Sequence, residues 1–326
     1  MERPKSVVYV IISTIICLVV AIATTWGVGR LTSANTLYGS STPKKIGVTY
    51  MTYNNPFYTV INEELTKIVE DNGDTLITLD PALSLKKQKK QMESLIEKKV
   101  DLIVLTPVDF EGLEPMIKKA YKANIPVVVV DTNVKSSKYI TYSVVSDNYN
   151  AGVQCAQDMI KNLDSAKIVL LEHSTANSAY LRIQGFKDTI EKYSEYEIVE
   201  EIECHGQLEI AMPKMESFLD EGKDFNVVMC LNDPSALGAM AALEEKNELD
   251  GVFVYGVDGT PETKKLISEG KMQATVAQYP KKMGEEIGEV IYKIFNSEQL
   301  DGAEDIMDVQ IITKENISEF SLEGWQ

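Results

Sequence analysis

From Lys45 onward the chain alternates short apolar, β-branched runs with amphipathic helical patterns, and this alternation constrains its fold more than any other feature. Candidate strands fall at 46–50, 75–79, 102–106, 127–131, 141–145, 167–172, 198–203, 227–231, 252–258 and 274–278. Candidate helices fall near 58–71, 85–98, 112–123, 148–163, 178–193, 208–221, 235–245, 262–268 and 281–295. The strands are nearly continuous in apolar character, most clearly at Val127, Val128, Val129 and Val130. Strands buried on both faces read this way, so the expected class is α/β, with parallel sheets covered by helices. The pattern amounts to two repeats of a five-strand unit with a break near Ser146. Most strands end in a polar residue or a turn, as at Thr106, Asp131, Asn232, Asp258 and Gln278. Ligands of open α/β sheets bind outside the carboxyl ends of the strands. Two such sheets facing each other place these termini around one cleft.

The 326-residue length suffices for two lobes of ordinary size. Lys and Arg number 32 against 49 Asp and Glu, a formal charge of −17 that speaks against a basic nucleic-acid face. Cys17, Cys155, Cys204 and Cys230 form no CxxC pair and read as small hydrophobes. At the N-terminus, Arg3 and Lys5 precede a long apolar run, 7–23, that is able to span a bilayer with its N-terminus inside. A cleaved signal usually has a shorter apolar core of ~7–15 residues, although Ala21-Ile22-Ala23 offers a cleavage site. Cys17 sits mid-run behind Ile15 and Ile16, which does not suit a lipoprotein cysteine. The expected organisation is therefore a cytoplasmic stub with an anchor or signal over 1–30 and a linker over 31–44, followed by the globular part. The Lys-rich run 86–90 reads as a solvated helix face.

Several segments resemble the ribose-binding branch of the periplasmic sugar-binding protein family. They are TYNNPFY (52–58), TPVD (106–109), VVVVDTN (127–133), SDNYNAG (146–152), RIQGF (182–186), LNDPSALGAMAAL (231–243), YGVDGTP (255–261) and ATVAQYP (274–280), in the family's order. The resemblance implies the type I periplasmic binding fold, two Rossmann-like lobes with parallel sheets joined by a three-crossing hinge. The crossings are expected near 145–147, 278–279 and 304–308. One lobe would take 45–145 and 279–305, and the other 146–278 and the tail 306–326.

A sugar offers hydroxyls and weakly apolar ring faces, so its site needs fixed polar side chains and aromatic walls. By resemblance, Asn55, Asp131, Arg182, Asn232, Asp258 and Gln278 form the hydrogen-bonding set, and Phe57 and Tyr58 the walls. Each residue also fits a plainer role. Asn55 before Pro56 suits a turn. Asn232 or Asp233 suits the N-cap of the following helix. Phe57 suits a core, Arg182 a helix surface, and Asp147 a cap. Asp131 and Asp258 end apolar strands, where an acid is out of place in a packed core. Met51, Thr106, Thr132 and His173 are candidates to line the pocket.

The chain departs from its ribose-type relatives at four of these places. It has Thr132 where they have a second arginine, Gly206 where they have an aromatic, Met51 where they have a serine, and Thr106 where they have an asparagine. A hydrogen bond to a charged group is worth about 1.5–3 kcal/mol, so ribose would bind roughly 10- to 100-fold more weakly without the arginine. The expected ligand is sugar-like but not ribose. Enzyme chemistry lacks its parts: no GxSxG, P-loop, dinucleotide GxGxxG or metal-ligand cluster is present, so neither cofactor nor metal is expected. His173 and His205, the two histidines, read as surface or pocket-lining residues. A sugar-responsive repressor would begin with a helix-turn-helix, where this chain has an apolar run. The expected function is solute capture for an ABC importer, working with its permease. The alternative is a membrane-anchored sensor that presents its ligand-bound form to a histidine kinase.

Overall fold

A computed structural model describes residues 42–326. The apolar run at 7–23 and most of the expected linker lie outside the described residues. Among the described residues, no helix is long and apolar enough to cross a membrane.

Two six-stranded sheets organise the chain. The first contains β1 (Lys45–Thr49), β2 (Thr75–Leu79), β3 (Leu102–Leu105), β4 (Val127–Asp131), β5 (Tyr142–Ser146) and β11 (Glu304–Met307), in the order β11-β5-β4-β3-β1-β2. All its pairings are parallel. The second contains β6 (Ala166–Glu172), β7 (Tyr196–Glu203), β8 (Val227–Cys230), β9 (Phe253–Asp258), β10 (Ala274–Ala277) and β12 (Gln310–Thr313), in the order β12-β10-β9-β8-β6-β7. Here β12 alone runs antiparallel. The chain passes between the sheets after β5, after β10 and between β11 and β12. Short β11 and β12 are absent from the strand pattern read above. They are half polar edge strands, and their sequence carries no continuous apolar run.

The helices of the first lobe are α1 (Pro56–Asp71), α2 (Leu85–Glu97), α3 (Glu114–Lys122) and α9 (Pro280–Phe295). Those of the second are α4 (Asn148–Asn162), α5 (Asn177–Ile190), α6 (Leu208–Leu219), α7 (Asp233–Lys246) and α8 (Pro261–Glu269). The valines of β4 show why the strands read as continuous runs. Val127 and Val129 pack with Met92, Leu95 and Ile117 on one side of the sheet, while Val128 and Val130 join Ile61, Leu65 and Val104 on the other. Strand side chains alternate between faces, so a sheet covered on both sides needs apolar residues at every position. Cys155, Cys204 and Cys230 are buried free thiols.

The lobes touch directly beside the cleft. Phe110 N–H donates to Thr175 O at 3.1 Å, and the Thr175 hydroxyl donates to Val108 O at 3.4 Å. Asn54 Nδ2 donates to Gln207 Oε1 at 3.1 Å.

Candidate functional site

The carboxyl ends of the two sheets enclose a cavity of about 30 Å³. Asn55, Phe57, Tyr58 and Asp131 line it from the first lobe, and Arg182, Asn232, Asp258 and Gln278 from the second. Met51 and His173 line it as well. Thr106 and Thr132 do not, which corrects their expected placement in the wall. Thr106 is fully buried at the end of β3, where Gln88 Nε2 holds its carbonyl at 2.8 Å. Thr132 is drawn to the other lobe, its Oγ1 accepting from Ser178 N–H.

Both strand-end aspartates sit on unusual backbone. Asp131 has φ +67°, and Thr132 N–H donates to Val130 O at 2.8 Å, closing a three-residue turn around it. Asp258 has φ +144° and is followed by Gly259 at +73°. Such conformations cost on the order of 1–3 kcal/mol in a non-glycine residue and persist where the surroundings over-determine them. The turn carries the Asp131 carboxylate to Tyr58, whose hydroxyl donates to Oδ2 at 2.9 Å. Parallel pairing sets Ala277 opposite Asp258, so the next residue, Gln278, arrives beside it. Gln278 Nε2 then donates to Asp258 Oδ1 at 2.7 Å.

Arg182 is buried, not on a helix surface. Two glycines explain this. A Cβ on Gly152 of α4 would lie 1.8 Å from Arg182 O, and one on Gly185 of α5 would lie 2.1 Å from Tyr149 O. Only glycine permits this backbone approach, and it turns Arg182 inward. Its Nε donates to Asn148 Oδ1 at 2.7 Å and its Nη1 to Leu231 O at 3.0 Å. Nη1 also lies 3.7 Å from Asp258 Oδ1. Asn148 went unrecognised in the sequence, although it lies in the SDNYNAG segment. Its own amide is fixed by donation to Ser146 O at 2.9 Å.

The capping roles are realised too. Asn55 caps α1, accepting from Phe57 N–H at 2.9 Å, and it also faces the cavity. Asn232 caps α7: its Oδ1 accepts from Ser235 N–H at 3.0 Å, while its Nδ2 donates to Gly206 O. Asp233 is fully buried beside it and accepts from Thr260 N–H and from the Thr263 and Thr275 hydroxyls. Asp147 caps α4 through Asn150 N–H.

Burial raises the Asp131 carboxyl above its ordinary pKa, against the pull of Arg182 and the Tyr58 hydrogen bond. Burial raises Asp258 further still, again opposed by Arg182, while the nearby Asp233 adds to the rise. Burial lowers His173 to about 4, so its imidazole is neutral near pH 7. The His173 ring meets His205 edge to face with centroids 5.4 Å apart. Two buried acceptors in the wall, Asp258 Oδ2 and Gln278 Oε1, have no hydrogen-bond partner in the protein. Buried polar atoms are normally paired. Gln207, which also lines the cavity, went unrecognised because its sequence context carries no motif.

Over residues 46–299 the chain matches the periplasmic binding protein domain. It is 27% identical over 273 residues to the ribose import binding protein of Escherichia coli, covering 83% of this chain and 90% of that protein. An ABC transporter solute binding protein from Bacillus halodurans, solved with myo-inositol, superposes with a TM-score of 0.80 at 27% identity, over 86% of this chain and 98% of its own. One from Mycobacterium smegmatis, solved with glycerol, gives 0.81 at 28% identity, over 87% and 100%.

Proposed function

Because the chain belongs to the periplasmic binding protein domain family, whose role is to bind solutes and not to convert them, we propose that it captures a sugar or other polyol outside the cytoplasm for an ABC-type importer. One observation carries this reading: polar and aromatic side chains from both lobes converge on one cavity, and two buried acceptors there have no partner in the protein. The ligands named for the similar proteins, ribose, myo-inositol and glycerol, are all polyhydroxylated. Asn55, Asp131, Arg182, Asn232, Asp258 and Gln278 would hold the hydroxyls, and Phe57 and Tyr58 the ring faces. Contacts divided between two lobes favour closure on the ligand, with the three connections as hinge.

A second reading gives the domain to a membrane-anchored sensor of the same ligand class. The apolar run at 7–23, with Arg3 and Lys5 before it, supports an anchor. Intact mass of membrane-extracted protein tests the anchor, and a mature N-terminus at Thr24 or Asn35 would remove it. A thermal-shift screen of pentoses, hexoses and polyols tests solute capture. Small-angle scattering with a hit should show a smaller radius of gyration. No stabilisation by any member of the panel would overturn the solute-binding reading.

A further inference from the structure

Residues 324–326 reach the cavity from behind its wall and touch both lobes. Gln326 is held by the second lobe. Its Oε1 accepts from Lys264 Nζ of α8 at 3.2 Å, and the same ammonium donates to Gly324 O at 2.6 Å. With its oxygen turned to that cation, the amide presents Nε2 to two backbone carbonyls. It donates to Asp258 O at 2.9 Å and to Gln278 O. Gly259 makes room for this contact: its φ is +73°, and a Cβ there would lie 2.6 Å from Gln326 Nε2. The two carbonyls belong to residues whose side chains line the cavity. Asp258, at φ +144°, holds a backbone conformation that persists only where its surroundings fix it.

Trp325 turns to the other lobe. Its ring meets Phe57 of α1 edge to face, with centroids 5.8 Å apart and planes at 64°. Phe57 meets Tyr58 in turn at 5.6 Å, and the Tyr58 hydroxyl donates to Asp131. Trp325 is partly buried and stands outside the cavity lining, so it supports the aromatic wall from behind. Phe57 belongs to the first lobe, whereas Lys264, Asp258 and Gln278 anchor residues 324–326 to the second. Parting the lobes about their hinge therefore separates the two rings.

We infer that residues 324–326 form a clasp across the cleft, in which Gln326 positions the backbone of Asp258 and Gln278 and Trp325 braces Phe57 only when the lobes are together. Both are positioning residues, acting through side chains that face the cavity. The clasp presupposes the solute-binding reading above and assigns part of the affinity to residues outside the cavity.

Trp26 and Trp325 are the two tryptophans of the chain, and Trp26 lies outside the described residues. In full-length Trp26→Phe protein, emission therefore reports on Trp325 alone. That protein is titrated with D-ribose, D-allose, L-arabinose, D-fucose, myo-inositol and glycerol, by calorimetry and by tryptophan emission with acrylamide quenching. Every probe that gives binding heat should shift the emission to the blue and reduce the quenching. Trp325→Ala should weaken those probes roughly 3- to 10-fold, the scale of one aromatic pair, and Trp325→Phe should recover most of the loss. The emission measurement needs no substitution in the clasp, so it decides even where Trp325→Ala fails to fold. Binding heat without a change in Trp325 emission, or normal affinity in Trp325→Ala, would overturn the clasp and leave solute capture standing. Absence of binding by all six probes together with a negative polyol screen would overturn both.

Discussion

Thr132 in one lobe caps a helix of the other. Its Oγ1 accepts the Ser178 N–H at 2.9 Å, while the residue at the N-cap of α5 itself, Ala176, supplies no side-chain bond. The first amides of a helix need acceptors. Here one acceptor is present only when the lobes are together, so closure and the capping of α5 are coupled. Thr132→Val should therefore weaken the binding of any confirmed ligand by about fivefold, the ~1 kcal/mol of a helix cap. Thr132→Ser should retain affinity. The order of preference among ligands should not change, because the hydroxyl meets the other lobe and not the cavity. A titration showing that Thr132→Val reorders the ligands would assign Thr132 to ligand contact instead.

Asp258→Ala separates binding from stability. It removes the carboxylate beside Gln278 and Arg182, and binding should fall by about 2–4 kcal/mol, or roughly 30- to 1,000-fold. The melting temperature should change little, because burial already opposes ionisation of this group. A lower melting temperature with normal affinity would make Asp258 a structural turn residue. Lys90→Ala on the exposed face of α2 should alter neither quantity.

Gly185→Ala should damage both. The added Cβ would lie 2.1 Å from Tyr149 O, a backbone atom that moves only if α4 shifts. Overpacking of this kind costs about 1–3 kcal/mol, and the displaced α5 would carry Arg182 away from Asn148. Denaturant unfolding and ligand titration on the same sample check the two effects.

His173 predicts an acid-side loss of stability. Its folded pKa is lowered by burial to about 4 from 6.5. Between these values the unfolded chain takes up a proton that the folded one excludes. Stability should therefore fall as pH drops through that window, by up to about 3 kcal/mol from this group. The raised Asp131 and Asp258 act in the opposite sense: the folded state holds their protons longer, so they favour folding as pH falls toward the ordinary carboxylate range. The variant His173→Gln isolates the imidazole contribution. An unchanged slope of melting temperature against pH in that variant would exclude it.

The fold was largely legible because its carrier is local. A strand buried on both faces must be apolar at every position, and Val127 to Val130 declare this without reference to any neighbour. Turn and cap chemistry is local too, so Asn55, Asn232 and Asp147 could be weighed as caps from adjacent residues alone. The short edge strands β11 and β12 escaped because half of each faces solvent and no apolar run marks it.

Tertiary structure decided the rest. The sequence placed Arg182 on an amphipathic helix, where a surface position is the ordinary outcome. It became a buried group because Gly152 and Gly185, far apart in the chain, let two helices meet backbone to backbone. Thr132 looked like a wall residue in sequence but spans the lobes, since the turn at Asp131 and the start of α5 meet only in three dimensions. The grouping of Asp131, Asp258 and Arg182 likewise emerges only when the ends of β4 and β9 share one cavity. Apolar periodicity is written residue by residue, whereas the pairing of buried charges depends on which distant strand ends the fold brings together.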